Sequence, residues 1–102
     1  MAAPVVSTFN GDVVRTRWGP VQVQAQFKNG VLEDVVTLVY PNDRGTSIYI
    51  NQQALPMLRS EVLTAQSARV DTISGASVTS RGYVTSLQSA IDAAQAAGAT
   101  NL

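Results

Sequence analysis

Val21, Val23, Ala25 and Phe27 alternate with Gln22, Gln24, Gln26 and Lys28. That two-residue period predicts a half-buried β-strand. Asn29-Gly30 follows, a dipeptide suited to a two-residue type I′ hairpin because both positions tolerate positive φ. The strand pattern then resumes from Val31 to Tyr40. A two-residue loop pairs Lys28 with Val31, Phe27 with Leu32, Val23 with Val36 and Val21 with Leu38. Opposed residues share a face, so these apolar side chains are expected to line one core surface. Gly19-Pro20 offers a second turn, pairing Trp18 with Val21, Thr16 with Val23 and Val14 with Ala25. The third strand also carries Val31, Val35 and Val39 on its other face, which predicts a central strand covered on both sides.

Beyond the sheet the period changes. Ile48, Leu55, Leu58, Val62 and Ala65 fall on one helical stripe, which Pro56 is expected to break near residue 54 or to start. Arg69 to Ile73 reads as a short strand. From Thr79 onward Tyr83, Leu87, Ala90, Ile91 and Ala94 form a second stripe, with Gly98 as its stop. Ala93 to Thr100 is expected to fray. The fold class is α+β: an antiparallel meander sheet of three main strands plus a short strand, packed with two helices. The expected organisation is a tail or leader remnant over 1–10, one domain over 11–98 and a tail over 99–102.

Composition removes whole chemistries. The chain has no histidine and no cysteine, so a Ser-His-Asp triad, a Cys-His pair, a thiolate metal site and a disulfide are all excluded within it. Lys28 is the only lysine and lies in a strand pattern far from any serine cluster, which makes a Ser-Lys dyad a poor reading. The formal net charge is zero and the arginines form no stripe, so nucleic acid is not an expected partner. No apolar run approaches the ~20 residues needed to cross a bilayer as a helix.

The remaining candidate chemistry lies where a short β-branched run gives way to the second helix, through Ser74-Gly75-Ala76-Ser77-Val78-Thr79-Ser80. A helix start carries unpaired N–H groups and partial positive charge, and can hold a phosphate. Gly75 and Ala76 allow close approach, and the hydroxyls of Ser74, Ser77, Thr79 and Ser80 add donors. No lysine follows the glycine and no G-x-G-x-x-G occurs, so neither a Walker loop nor a dinucleotide fingerprint is present. Serine and threonine are also favoured helix caps, and on physics alone capping is the stronger reading.

Asp71-x-x-Ser74-Gly75-Ala76-Ser77-x-Thr79-Ser80 resembles the signature of the FMN-binding domain family. That family includes the flavin-carrying domains found in the sodium-translocating NADH:quinone oxidoreductase and in the Rnf complex. Gly19-Pro-Val-Gln-Val23, Asn29-Gly30, Ile50-Asn51 and the Tyr83–Ala90 segment are similar to the small single-domain bacterial members. The resemblance spans about Gly11 to Ala97. It implies FMN as cofactor, bound noncovalently or through a phosphoester to Ser77 made by a flavin transferase with FAD as donor. Serine stands at position 77 where threonine is commoner. Asp71 would order the turn or help the transferase recognise it.

For the isoalloxazine ring the candidates are Trp18, Tyr40, Pro41, Ser47, Ile48 and Asn51, which could supply an apolar wall and a few polar contacts. Each is equally read as core or loop packing. Arg44 and Arg81 could add charge near the phosphate, although solvated surface is the plainer reading of both. The function implied is electron transfer with a membrane or secreted redox partner, in an extracytoplasmic or membrane-associated full-length protein, more a carrier than an autonomous enzyme. The alternative is a non-redox module binding another phosphorylated ligand or a protein partner.

Overall fold

A computed structural model describes residues 6–41, 45–71 and 77–102, with the side chains of 45–51 outside what is described. Its elements are β1 (Val6–Asn10), β2 (Val14–Thr16), β3 (Gly19–Lys28), β4 (Val31–Val39), α1 (Gly45–Ala65) and α2 (Ser77–Ala96). The four strands form one antiparallel sheet, giving the α+β class.

β3 is the central strand. One of its edges carries β1 and then β2 end to end, and the other carries β4. Residues 6–10, expected as tail, therefore form a strand, pairing from Val6↔Lys28 to Asn10↔Gln24. Phe9 packs edge-on against Phe27, with ring centroids 6.1 Å apart. The expectation that β4 is central fails, because β4 pairs with β3 alone.

The hairpin at Asn29-Gly30 has positive φ at both residues, and Lys28↔Val31 and Phe27↔Leu32 pair as the turn requires. Two irregularities then shift the register. Gln26 opposes Asp34, Val23 opposes Thr37 and Gln22 opposes Val39, leaving Glu33 and Leu38 as the extra residues. Val35 thereby lies opposite Ala25 and is buried, while Val36 is left 37% exposed. The first hairpin turns at Arg17-Trp18 rather than at Gly19-Pro20, pairing Thr16 with Gly19 and Val14 with Val21. Thr16 Oγ1 fixes that turn by donating to the Gly19 carbonyl at 2.7 Å and accepting from the Trp18 N–H at 3.2 Å. Pro20 follows as a strand residue opposite Arg15, beyond the end of β4, where its missing N–H breaks no ladder.

α1 runs through Pro56 without a break. Pro56 and Gln52, whose carbonyl the proline leaves unpaired, are both exposed, so water can satisfy that carbonyl. Ala54, Leu58 and Val62 are buried, while Ala65 is exposed. The helix ends at Gln66, held at φ 53° with Ser67 N donating to Val62 O, a Schellman-type closure on a non-glycine residue. The Gln66 amide offsets that strain. It donates to the carbonyls of Leu32 and Leu63 and accepts from Leu32 N–H, each at 2.8 Å. Residues 69–71 are not in the sheet, which corrects the short strand expected from Arg69 to Ile73 over its described part.

α2 covers the core face of β3. Tyr83, Leu87, Ala90 and Ala94 are fully buried against Val21, Val23, Ala25 and Phe27. It stops at Gly98 (φ 77°), with Ala99 N donating to Ala94 O and Gly98 N to Gln95 O. The end is pinned rather than frayed: Thr100 is buried and its hydroxyl donates to the Gly30 carbonyl at 2.7 Å.

Between β1 and β2 the ladder on β3 has a gap, and α2 fills it. Gly11 N donates to Val23 O at 2.8 Å, and Val23 N donates to Ser86 Oγ at 3.0 Å. A Cβ at Gly11 would lie 2.0 Å from the Ser86 carbonyl oxygen, so only glycine fits there. No helix among the described residues is long and apolar enough to cross a membrane.

Candidate functional site

The segment singled out in the sequence ends in α2. Ser77 is the first helical residue and is exposed, Val78 is half-buried, and Thr79 and Ser80 are buried at 5% and 0% exposure. Burial thus separates the hydroxyls. Of those at 77–80, Ser77 alone is placed where a bulky group can be attached to it. Ser74, Gly75 and Ala76 lie outside the described residues.

The start of α2 is positioned by close packing on the first hairpin. A Cβ at Gly82 would meet Thr16 Cγ2 at 3.1 Å and Val21 Cβ at 3.2 Å. The glycine lets helix and hairpin approach closely enough to bring residues distant in sequence into one groove. Arg15, Thr16 and Arg17 line it from the hairpin, and Val78, Arg81 and Thr85 from the helix, around about 460 Å³. Arg17 also lies over the Trp18 ring, 5.5 Å from its centroid, and Trp18 is 39% exposed. Gly19 packs on Pro41, its Cβ position 3.3 Å from Pro41 Cβ, which places Tyr40-Pro41 beside the same hairpin. Trp18, Tyr40 and Pro41 are thus gathered at one end of the sheet. The neighbours of Trp18 and Ser77, namely Arg17 and Val78, share the groove.

Asp71, another expected site residue, does not join this cluster. It is exposed and lines a separate groove of about 420 Å³ with Ser60, Thr64 and Arg69. Ser47 and Asn51 fall on the first turns of α1, with side chains outside the described residues, as is that of Ile48. Arg44 is outside them too. Arg15 and Arg17, which line the groove, were not among the residues expected from the sequence, because they come from a hairpin remote in sequence from the motif. The small residue at Gly82, one helical turn after Val78, is the only signal for that approach.

The donor set suits a phosphate. The first turn of α2 has no acidic residue to neutralise its partial positive charge. Arg81 lies one turn further on, and among the described residues no Asp or Glu lines the adjoining groove. Deeper in the same helix, the Tyr83 hydroxyl is buried without a hydrogen-bond partner. Burial holds it protonated, its pKa raised well above the ordinary value of 10.0. Among the described residues no cluster of acidic side chains could hold a metal ion.

The described residues thus show an antiparallel sheet covered by two helices, with an exposed serine at a helix N-terminus whose first turn carries no acidic residue. The FMN-binding domain family matches residues 17–92, from the first hairpin turn to the last third of α2. This chain belongs to the FMN-binding domain family. No curated protein matches it.

Proposed function

We propose that this chain is an electron-carrier domain that holds FMN by its phosphate at the Ser74–Ser80 turn, esterified to Ser77. The observation that carries the reading is the exposed Ser77 hydroxyl at the start of α2, beside two sealed hydroxyls, in a chain of the FMN-binding family. When bound, a flavin supplies electron transfer in one- or two-electron steps. The chain's own residues hold and orient. The first N–H groups of α2 bind the phosphate, Arg81 adds positive charge, and the buried face of α2 fixes the helix that carries them.

Attachment is assigned to an outside catalyst, since no acidic side chain among the described residues lines the groove beside Ser77 to serve as base. A flavin transferase would supply it. The Ser77 oxygen bonds to the FMN-side phosphorus of FAD, the pyrophosphate P–O bond breaks, AMP leaves, and the hydroxyl proton passes to the transferase or to solvent. Asp71 serves in recognition of the turn by that enzyme. Trp18, Tyr40 and Pro41 supply the apolar surface nearest the groove for the ring, with Ser47 and Asn51 as polar contacts. The redox partner is a membrane or secreted protein, and the full-length protein is extracytoplasmic or membrane-associated.

The test is an absorbance spectrum of the purified protein, made with a flavin transferase under ample FAD supply and, separately, titrated with free FMN. Flavin absorbance co-purifying in at least one condition is expected. A colourless protein in both, or tighter binding of a different phosphorylated compound in competition with FMN, would overturn the reading.

A further inference from the structure

The groove between β2 and α2 carries more positive charge than holding a flavin phosphate beside Arg81 requires. Three of the chain's seven basic residues, Arg15, Arg17 and Arg81, line it together, although the formal net charge is zero. Among the described residues no carboxylate lines the groove and none of the three arginines is in an ion pair. The only described ion pair, Arg59–Asp34 at 2.6 Å, joins α1 to β4. Positive charge is therefore segregated onto one concavity. Val14, Val78 and Gly82 also line it, and Arg17, which does too, lies over the ring of Trp18.

We propose that this groove is a docking site for a carboxylate-rich segment of a protein partner, with an Asp or Glu side chain entering between Arg15, Arg17 and Arg81. A guanidinium presents a planar fork of donors that matches a carboxylate in bidentate fashion. Exposed Arg and Trp side by side are also the residue types that dominate binding energy at protein interfaces. A volume of about 460 Å³ admits one or two side chains. Anionic lipid surfaces and nucleic-acid backbones call for a more extended basic array. The other described basic residues lie elsewhere: Lys28 at the far end of β3, Arg59 paired with Asp34, and Arg69 in a different groove. Val78 adjoins Ser77, so a segment docked here would bring its owner beside a group held at Ser77; that last step alone rests on the FMN reading.

The experiment is a titration of isotopically labelled full-length chain, flavin-free and flavin-loaded, with hexaglutamate, followed by backbone and arginine Nε–H resonances. Saturable shifts confined to Arg15, Arg17, Val78, Arg81 and Thr85 are expected. Affinity should weaken about tenfold or more between ~50 and ~300 mM salt. Binding should be lost in Arg15→Glu/Arg81→Glu and reduced in the milder Arg15→Gln/Arg81→Gln, both with an unchanged urea midpoint. Shifts that persist in both variants, or that scatter to Lys28 and Arg69, would overturn the proposal. So would inorganic phosphate giving the same shifts at equal concentration, or binding seen only with phosphatidylserine vesicles. Hexaglutamate binding by a chain that never takes up FMN would refute the proposed function and leave this inference standing.

Discussion

Ser86→Ala tests how the fold holds the helix that carries the site. β3 changes edge partners near Val23, from β1 to β2, and the amide of Val23 has Ser86 Oγ as its acceptor at 3.0 Å. Both residues are fully buried, so no water can substitute once the hydroxyl is removed. The loss combines a net hydrogen bond with an unsatisfied buried N–H, about 1–3 kcal/mol. A domain of this size is stable by roughly 5–15 kcal/mol, so the change is a substantial fraction. It corresponds to a fall of about 4–8 °C in Tm for each kcal/mol. Urea unfolding followed by circular dichroism measures it, with a lower midpoint and an unchanged slope. Amide exchange at Val23 should quicken along with it. Ser89→Ala is the control. Its hydroxyl accepts from exposed Asp12 N–H and donates to the Ser86 carbonyl, each at 2.7 Å. Water can replace the first of these, so the cost should stay within about 1 kcal/mol. A Ser86→Ala protein within ~0.5 kcal/mol of wild type, with Val23 still protected, would refute the reasoning.

Tyr83→Phe removes a buried hydroxyl that has no partner, so stability at neutral pH should hold or rise by up to about 1 kcal/mol; a large loss would mean an unrecognised partner. The same residue sets an alkaline limit. Its folded pKa is raised above 10.0, so the folded state keeps a proton that the unfolded state releases. The stabilisation is complete below pH 10.0 and falls as pH climbs above it, by at most about 1.4 kcal/mol per pH unit. Urea midpoints measured across that range should show this slope in wild type and lose it in Tyr83→Phe. Gln66→Ala gives up three hydrogen bonds while keeping the positive φ, and should cost about 2–3 kcal/mol in urea unfolding; a neutral result would show that β4 needs no cap at Leu32. Gly82→Leu should push the start of α2 off the first hairpin, lowering both stability and flavin uptake, read by urea midpoint and flavin absorbance.

The sheet was legible wherever the pattern permits a single answer. Asn29-Gly30 fixes the turn, and alternation over 21–27 fixes the core face of β3. The register past Leu32 was not legible, because Val35 and Val36 are adjacent apolar residues that satisfy either face, and a single extra residue decides between them. Gly19-Pro20 has the composition of a turn, yet the hydroxyl of Thr16 closes the chain one step earlier. β1 was missed because its core-side contribution is slight: Ser7 and Phe9 are only half-buried. Pro56 was overweighted, since on an exposed helix flank its lost hydrogen bond falls to water. At the site the small-residue entry to α2 was readable as a motif. The residue pattern alone did not rank its hydroxyls, which only the family resemblance did by pointing to Ser77, because burial of Thr79 and Ser80 depends on the helix's rotation against the sheet. The arginine groove exists only through the close approach at Gly82.

Intact mass under denaturing conditions, on protein made beside a flavin transferase, tests the central claim most directly. The account predicts a gain equal to one FMN phosphoester, mapped by peptide fragmentation to Ser77 and absent from a folded Ser77→Ala variant. An unmodified mass, or a flavin that maps to Thr79 or Ser80 or survives Ser77→Ala, would contradict it.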